Sequence, residues 1–139
     1  MARIVFFLLS LMVLAAPASA ADVNIVVDLS QQTMTVTVDG VREYRWDVST
    51  GKKGYRTPQG SYQPTRMHRE YYSRKYDNAP MPYSIFFRGG YAIHGTSHVS
   101  ALGSPASHGC VRLKTSNAKT LYNLVRAHGA DNTSIRIKA

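Results

Sequence analysis

Thr33-Met34-Thr35-Val36-Thr37-Val38-Asp39-Gly40-Val41 is the stretch that decides the fold class. Met34, Val36 and Val38 alternate with Thr33, Thr35 and Thr37, the period-two pattern of a strand with one face buried. Asp39-Gly40 follows as a hairpin signal, because both residues tolerate positive φ. Working outward, residues 24–28 read as a preceding strand, reached through a turn at 29–32. Residues 41–49 read as the return strand, with Tyr44, Trp46 and Val48 on one face. A three-stranded antiparallel meander is therefore expected at the start of the domain.

Further along, Ser84 to Phe87 and Tyr91 to Ile93 flank Arg88-Gly89-Gly90 and predict a second hairpin that leaves His94 at a strand end. Gly95, Gly103, Pro105 and Gly109 mark residues 95–109 as loop. A strand resumes at 111–113, so Cys110 falls at the junction. Residues 116–128 carry a helical stripe of Ala118, Leu121, Tyr122 and Val125. Thr115 or Ser116 is placed to cap its start and Gly129 its end. Residues 133–137 close the chain as a strand. The expected architecture is mainly β, a sandwich or barrel-like domain with one C-terminal α-helix.

Residues 51–82 have a different character. Thr57-Pro58-Gln59-Gly60 reads as a turn. Lys52, Lys53, Arg56, Arg66, Arg69, Arg74 and Lys75 are interleaved with Tyr55, Tyr62, Tyr71, Tyr72 and Tyr76. Such a segment suits nucleobase stacking or a substrate-facing loop. The N-terminus favours the second. Residues 4–16 are apolar except for Ser10, too short to span a bilayer at ~20 residues. They lead into Pro17-Ala18-Ser19-Ala20, the small-x-small pattern of a cleaved export signal. Residues 1–20 are thus expected to be a signal peptide and 21–139 one exported domain, in the periplasm or cell wall, with no stable membrane insertion. The formal net charge of +9 favours anionic partners, and export leaves nucleic acid a poor candidate.

The chain has one cysteine, Cys110. An exported domain with a single cysteine has no internal disulfide to form. A free thiol has a pKa of ~8.5, so catalysis by it needs a base, a group that orients the base, and donors for an oxyanion. His94 and His108 are both candidates for the base. Gly109 lets backbone N–H groups approach a bound carbonyl closely. A zinc set of His94, His98, His108 and Cys110 can also be written, but Gly95-Thr96-Ser97 is a poor helix for an i, i+4 ligand pair. No metal and no cofactor are expected, and His68 and His128 read as surface or structural residues.

Ile93-His94-Gly95-Thr96, Leu102-Gly103-Ser104-Pro105-Ala106 and Ser107-His108-Gly109-Cys110-Val111-Arg112-Leu113 together resemble the L,D-transpeptidase catalytic domain, also called YkuD. Val26-Val27-Asp28-Leu29, Val48-Ser49-Thr50-Gly51, Thr57-Pro58-Gln59-Gly60 and Met81-Pro82-Tyr83 extend the resemblance over nearly all of residues 23–138. It implies a YkuD-like fold and a cysteine acyltransferase of cell-wall biogenesis. Cys110 would attack the diaminopimelate carbonyl of a peptidoglycan tetrapeptide stem and form a thioester that an amine resolves. The acceptor would be another stem, a D-amino acid or an envelope protein. By the same resemblance His94 is the base and the Gly95 carbonyl orients it. Amides around His108, Gly109 and Cys110 hold the oxyanion, and Ser107 orders the loop. Arg112 is placed to bind a substrate carboxylate or to brace the loop, and Met81 and Tyr83 are candidates for the substrate wall, with core packing as the alternative. Alternatives are a carboxypeptidase or amidase that resolves the thioester with water, and a non-catalytic peptidoglycan-binding module.

Overall fold

The computed structural model describes residues 12–14 and 22–139. The expected signal peptide therefore lies, but for 12–14, outside the described residues. Among the described residues, no helix is long and apolar enough to cross a membrane.

The meander forms as the alternation predicts. β1 (Val23–Asp28), β2 (Thr33–Val38) and β3 (Val41–Asp47) pair antiparallel in sequence order. Asp39 and Gly40 turn between β2 and β3 with φ of 48° and 82°. The sheet continues beyond the meander through the last strand, β11 (Thr133–Lys138), which runs parallel to β1 and pairs with β4 (Gly60–Tyr62) on its other side. Gly60 thus begins a strand, and residues 57–59 approach it without forming the turn read from Thr57-Pro58-Gln59-Gly60. Tertiary bonds outweigh the local turn preference here: the Thr57 hydroxyl accepts from the amide of Gly51 and donates to the carbonyl of Gly109.

A second sheet has the order β10 (Val111–Lys114), β9 (Tyr91–Thr96), β8 (Ser84–Arg88), β5 (Arg66–His68). β8 and β9 form the expected hairpin, but β9 runs on to Thr96, so His94 is inside a strand rather than at its end. The extension follows from β10, which pairs parallel with it over Val111↔Ile93 to Lys114↔Thr96. Between β5 and β8, residues Tyr72–Ser73 (β6) and Ala79–Pro80 (β7) form a small separate hairpin.

Each strand of the second sheet has two working faces. Ile85, Phe87, Ile93, Val111 and Leu113 point into one core with Val23, Ile25, Val27, Met34, Val36, Ile135 and Ile137 of the first sheet. The helix α1 (Thr115–His128) adds Ala118, Leu121, Tyr122 and Val125 to the same core, as its spacing requires. Truncating one of these fully buried side chains, Leu113→Ala for example, costs ~2–5 kcal/mol. Gly129 ends the helix at φ 95°, its amide bonded to the carbonyl of Val125. The start differs from expectation. Lys114 occupies the N-cap with no side-chain cap bond, and the Thr115 hydroxyl donates instead to the carbonyl of Thr96. That bond ties the helix to β9, the strand carrying His94.

Candidate active site

The opposite face of the second sheet carries the candidate catalytic residues. Alternation along β9 turns Ala92 and His94 away from the core that takes Ile93. Along β10 the same rule puts Arg112 on the His94 side, and Arg112 is the register partner of His94. Cys110, one residue before the strand and two before Arg112, follows the same alternation. It packs beside Phe86, Ala92 and Met81 in a small apolar cluster on this face. Two residues sixteen apart in the chain are thus brought together by one parallel strand pair.

The cysteine loop is held by backbone and hydroxyl bonds. Ser49 exchanges both backbone hydrogen bonds with Arg112, at 3.0 and 2.8 Å, which sets it against the outer edge of β10, and Gly51 bridges to Ser107. Thr50 accepts from the amides of Ala106 and Ser107. The Ser107 hydroxyl donates to the carbonyl of Cys110 at 2.6 Å and accepts from the amide of Gly109 at 3.1 Å. Gly109 is buried at φ 124°, and a Cβ there would sit 2.5 Å from the Tyr91 ring. Any side chain at 109 would have to displace that ring in a backbone region that L-residues avoid. Gly51 is as confined: its missing side chain leaves room for the carbonyl of Tyr55.

His94 is 5% exposed. Its Nδ1 lies 2.7 Å from the carbonyl oxygen of Gly95. A carbonyl only accepts, so Nδ1 carries the proton and Nε2 keeps its lone pair. Burial is the main force that lowers the imidazole pKa, to about 4; the Gly95 bond opposes the shift and the Arg112 charge adds to it. His94 is therefore neutral at pH 7. Cys110 is partly exposed, and burial pushes its thiol above the ordinary range against the lowering effects of the Ala92 backbone and Arg112. Its Sγ lies 3.9 Å from the carbonyl oxygen of Gly90. The resting site is a neutral thiol and a neutral imidazole opening into the same cleft.

That cleft has a volume of about 630 Å³. His94, Gly95, Ser107, His108, Cys110, Arg112 and Met81 all line it, so the structure gathers these residues in one place. Tyr83 is a correction. It does not line the cleft, and its ring packs edge-on against Tyr122 of α1 at 5.7 Å, with its backbone at φ 54°. The ring is partly buried and packs against the main core. The zinc set does not converge either: among the described residues, no three of its ligand atoms lie within 4.8 Å of one another.

His108 has surroundings that the sequence did not announce. The Tyr76 ring, from the β6–β7 hairpin, stacks on it at 4.3 Å and 9°, and the Tyr55 ring meets it edge-on at 4.7 Å. Lys75 lies 5.5 Å from the centre of the Tyr76 ring and Lys52 lies 5.6 Å from that of Tyr55. The interleaving of lysine and tyrosine in residues 51–76 was the available signal, although the ring they enclose lies 32 residues beyond Tyr76.

The L,D-transpeptidase catalytic domain, YkuD, matches residues 22–137 of this chain. Solved structures with a similar fold include an L,D-transpeptidase from Mycobacterium tuberculosis H37Rv, at 26% identity and a TM-score of 0.77 over 85% of this chain and 58% of that one. Another is an L,D-transpeptidase from Mycobacterium smegmatis, at 25% identity and a TM-score of 0.75 over 86% of this chain and 59% of that one. A third, from Stackebrandtia nassauensis, shares 30% identity with a TM-score of 0.74 over 85% of this chain and 56% of that one. The chain spans less than two thirds of the length of each. No curated protein matches it.

Proposed function

Since this chain belongs to the L,D-transpeptidase catalytic-domain family, we propose that it is an L,D-transpeptidase acting on peptidoglycan stem peptides through a thioester on Cys110. The observation that carries the reading is the Nδ1–H bond of His94 to Gly95, which leaves Nε2 as a buried, unprotonated acceptor in the cleft that Cys110 enters.

The neutral pair sets the order of events. Cys110 is not a standing thiolate, because burial raises its pKa. Its proton leaves as its sulfur attacks. The resting thiol lies against the Gly90 carbonyl and turns to His94 when substrate enters; catalytic hydrogen bonds often tighten only in the substrate complex. The sulfur forms a bond to the diaminopimelate carbonyl carbon while Nε2 of His94 takes the thiol proton. The Gly109 amide is engaged by Ser107, so we assign the oxyanion to the amides of His108 and Cys110. Collapse of the tetrahedral adduct breaks the bond to terminal D-alanine, whose amine leaves with the proton from His94. An acceptor amine then attacks the thioester, gives its proton to His94, and releases Cys110 as the thiol once that proton returns. Another stem, a D-amino acid or an envelope protein all supply such an amine. Arg112, half-buried beside the pair, binds a stem carboxylate. Residues 1–20 direct export and are removed, which places the enzyme in the periplasm or wall.

Intact mass spectrometry of protein incubated with a disaccharide tetrapeptide tests this directly. The expected product is an adduct on Cys110 that has lost D-alanine and is absent from Cys110→Ala. An equal adduct in the variant, or none in the wild type, overturns the proposal. Product analysis with and without an amine separates transfer from hydrolysis.

A further inference from the structure

Among the described residues, three cations line the cleft, Arg56, Lys75 and Arg112, and no aspartate or glutamate lines it. The ion pairs among the described residues, His128 with Asp22 and Lys138 with Asp28, lie elsewhere. Arg56 is exposed and makes no side-chain hydrogen bond, ion pair or ring contact among the described residues. Lys75 has the Tyr76 ring beneath it and makes no ion pair among the described residues. Arg112 is half-buried beside the reacting pair and also lacks an acidic partner. A guanidinium partly withdrawn from water without a counter-charge favours an incoming anion.

We propose that Arg56 and Lys75 are specificity-determining residues that read the free carboxylate at the far end of the diaminopimelate side chain, and that the enzyme thereby discriminates against stems amidated there. The inference rests on the acyl-transfer reading above. It follows from charge. The far centre of diaminopimelate carries an ammonium and a carboxylate, a net charge of zero. Amidation removes the carboxylate and leaves a net positive charge. In a cleft holding three cations and no acid, that change loses an ion pair and adds a repulsion. Lys75 and Arg56 line the same cleft as His108; Lys75 precedes Tyr76, whose ring stacks on His108, and Arg56 follows Tyr55, whose ring meets it edge-on. A side chain entering this cleft beside the stacked rings comes within reach of both cations.

The test compares two disaccharide tetrapeptides, one with the free carboxylate and one with the carboxamide, by the kcat/KM for acyl-enzyme formation. The wild type should favour the free carboxylate by about 10-fold at low ionic strength, and less in high salt, where exposed charges are screened. Arg56→Gln/Lys75→Gln should lower kcat/KM for the carboxylate substrate to near that of the carboxamide, mainly through KM. Lys75→Arg should retain the preference. Unchanged melting temperatures show that each variant is folded. Equal wild-type rates on both substrates, or a preference that survives in the double variant, overturn the inference while leaving acyl transfer intact. No adduct from either substrate overturns both.

Discussion

The Thr57 hydroxyl donates to the carbonyl oxygen of Gly109 at 2.8 Å and accepts from the amide of Gly51 at 3.0 Å, joining the segment before β4 to the cysteine loop across 52 residues of chain. Thr57 is 3% exposed, so neither bond has water as a substitute. Thr57→Val keeps the shape and strands both partners, at about 1–3 kcal/mol. Thermal denaturation should register that loss. Acylation of Cys110 should slow as well, and a variant with wild-type acylation would show that the loop holds its shape without this link.

His94→Gln removes the proposed proton acceptor while retaining a polar side chain of similar reach. Acyl-enzyme formation should fall by roughly 10²–10⁴-fold, the usual contribution of a positioned general base. Single-turnover mass spectrometry at pH 7 measures it. The same loss in His108→Gln with none in His94→Gln would reverse the assignment of the base.

The depressed pKa of His94 also makes stability depend on pH. The group titrates at about 4 in the folded protein and near 6.5 when unfolded. Between these values the unfolded chain binds the extra proton, so stability rises with pH. The full contribution, about 3 kcal/mol, is present above pH 6.5 and is lost as pH falls towards 4. Urea titrations across this window should show a steeper slope for the wild type than for His94→Gln. Equal slopes would mean that the imidazole is not buried neutral.

Gly109→Ala forces a Cβ towards the Tyr91 ring at a φ of 124°. Strain of this kind costs of order 1–3 kcal/mol. The larger effect should be on activity, because the displaced backbone carries the amides of residues 108 and 110. A drop in acylation of more than about 10-fold, with a folded circular dichroism spectrum, is the expected result.

Tyr76→Ala takes away the ring stacked on His108. The parallel stack is worth ~0.5–1.5 kcal/mol, so KM for the stem should rise a few-fold with kcat little changed. A large fall in kcat instead would place His108 in the chemistry itself.

Much of this fold is legible from local pattern. The Thr/Val alternation of β2, the Asp39-Gly40 turn and the Ala118–Val125 stripe each state a structure within a few residues, and each forms as read. The misreadings share one cause. Thr57-Pro58-Gln59-Gly60 resembles a turn, yet distant partners at Gly51 and Gly109 take its hydroxyl. Thr115 resembles a cap, yet Thr96 takes its proton. β5, β6 and β7 are short segments with no periodicity of their own, formed by pairing alone. The cysteine and histidine motifs are visible in the sequence, but their shared face depends on β9 and β10 running parallel. Tyr83 illustrates the converse: a position next to a cleft residue says nothing of which way the ring turns.

The protonated state of Cys110 has a consequence beyond the order of proton transfers. Oxidants and stray disulfides react with the thiolate, in proportion to how much of it is present. A sulfur that releases its proton only when a carbonyl is in place gives peroxide little to attack in the interval between turnovers. The burial that disfavours its ionisation also lowers the reactivity of a lone thiol that has no second cysteine in the chain to rescue it from a sulfenic acid. The scarcity of thiolate and the proposed need for His94 as base are thus two outcomes of the same desolvation.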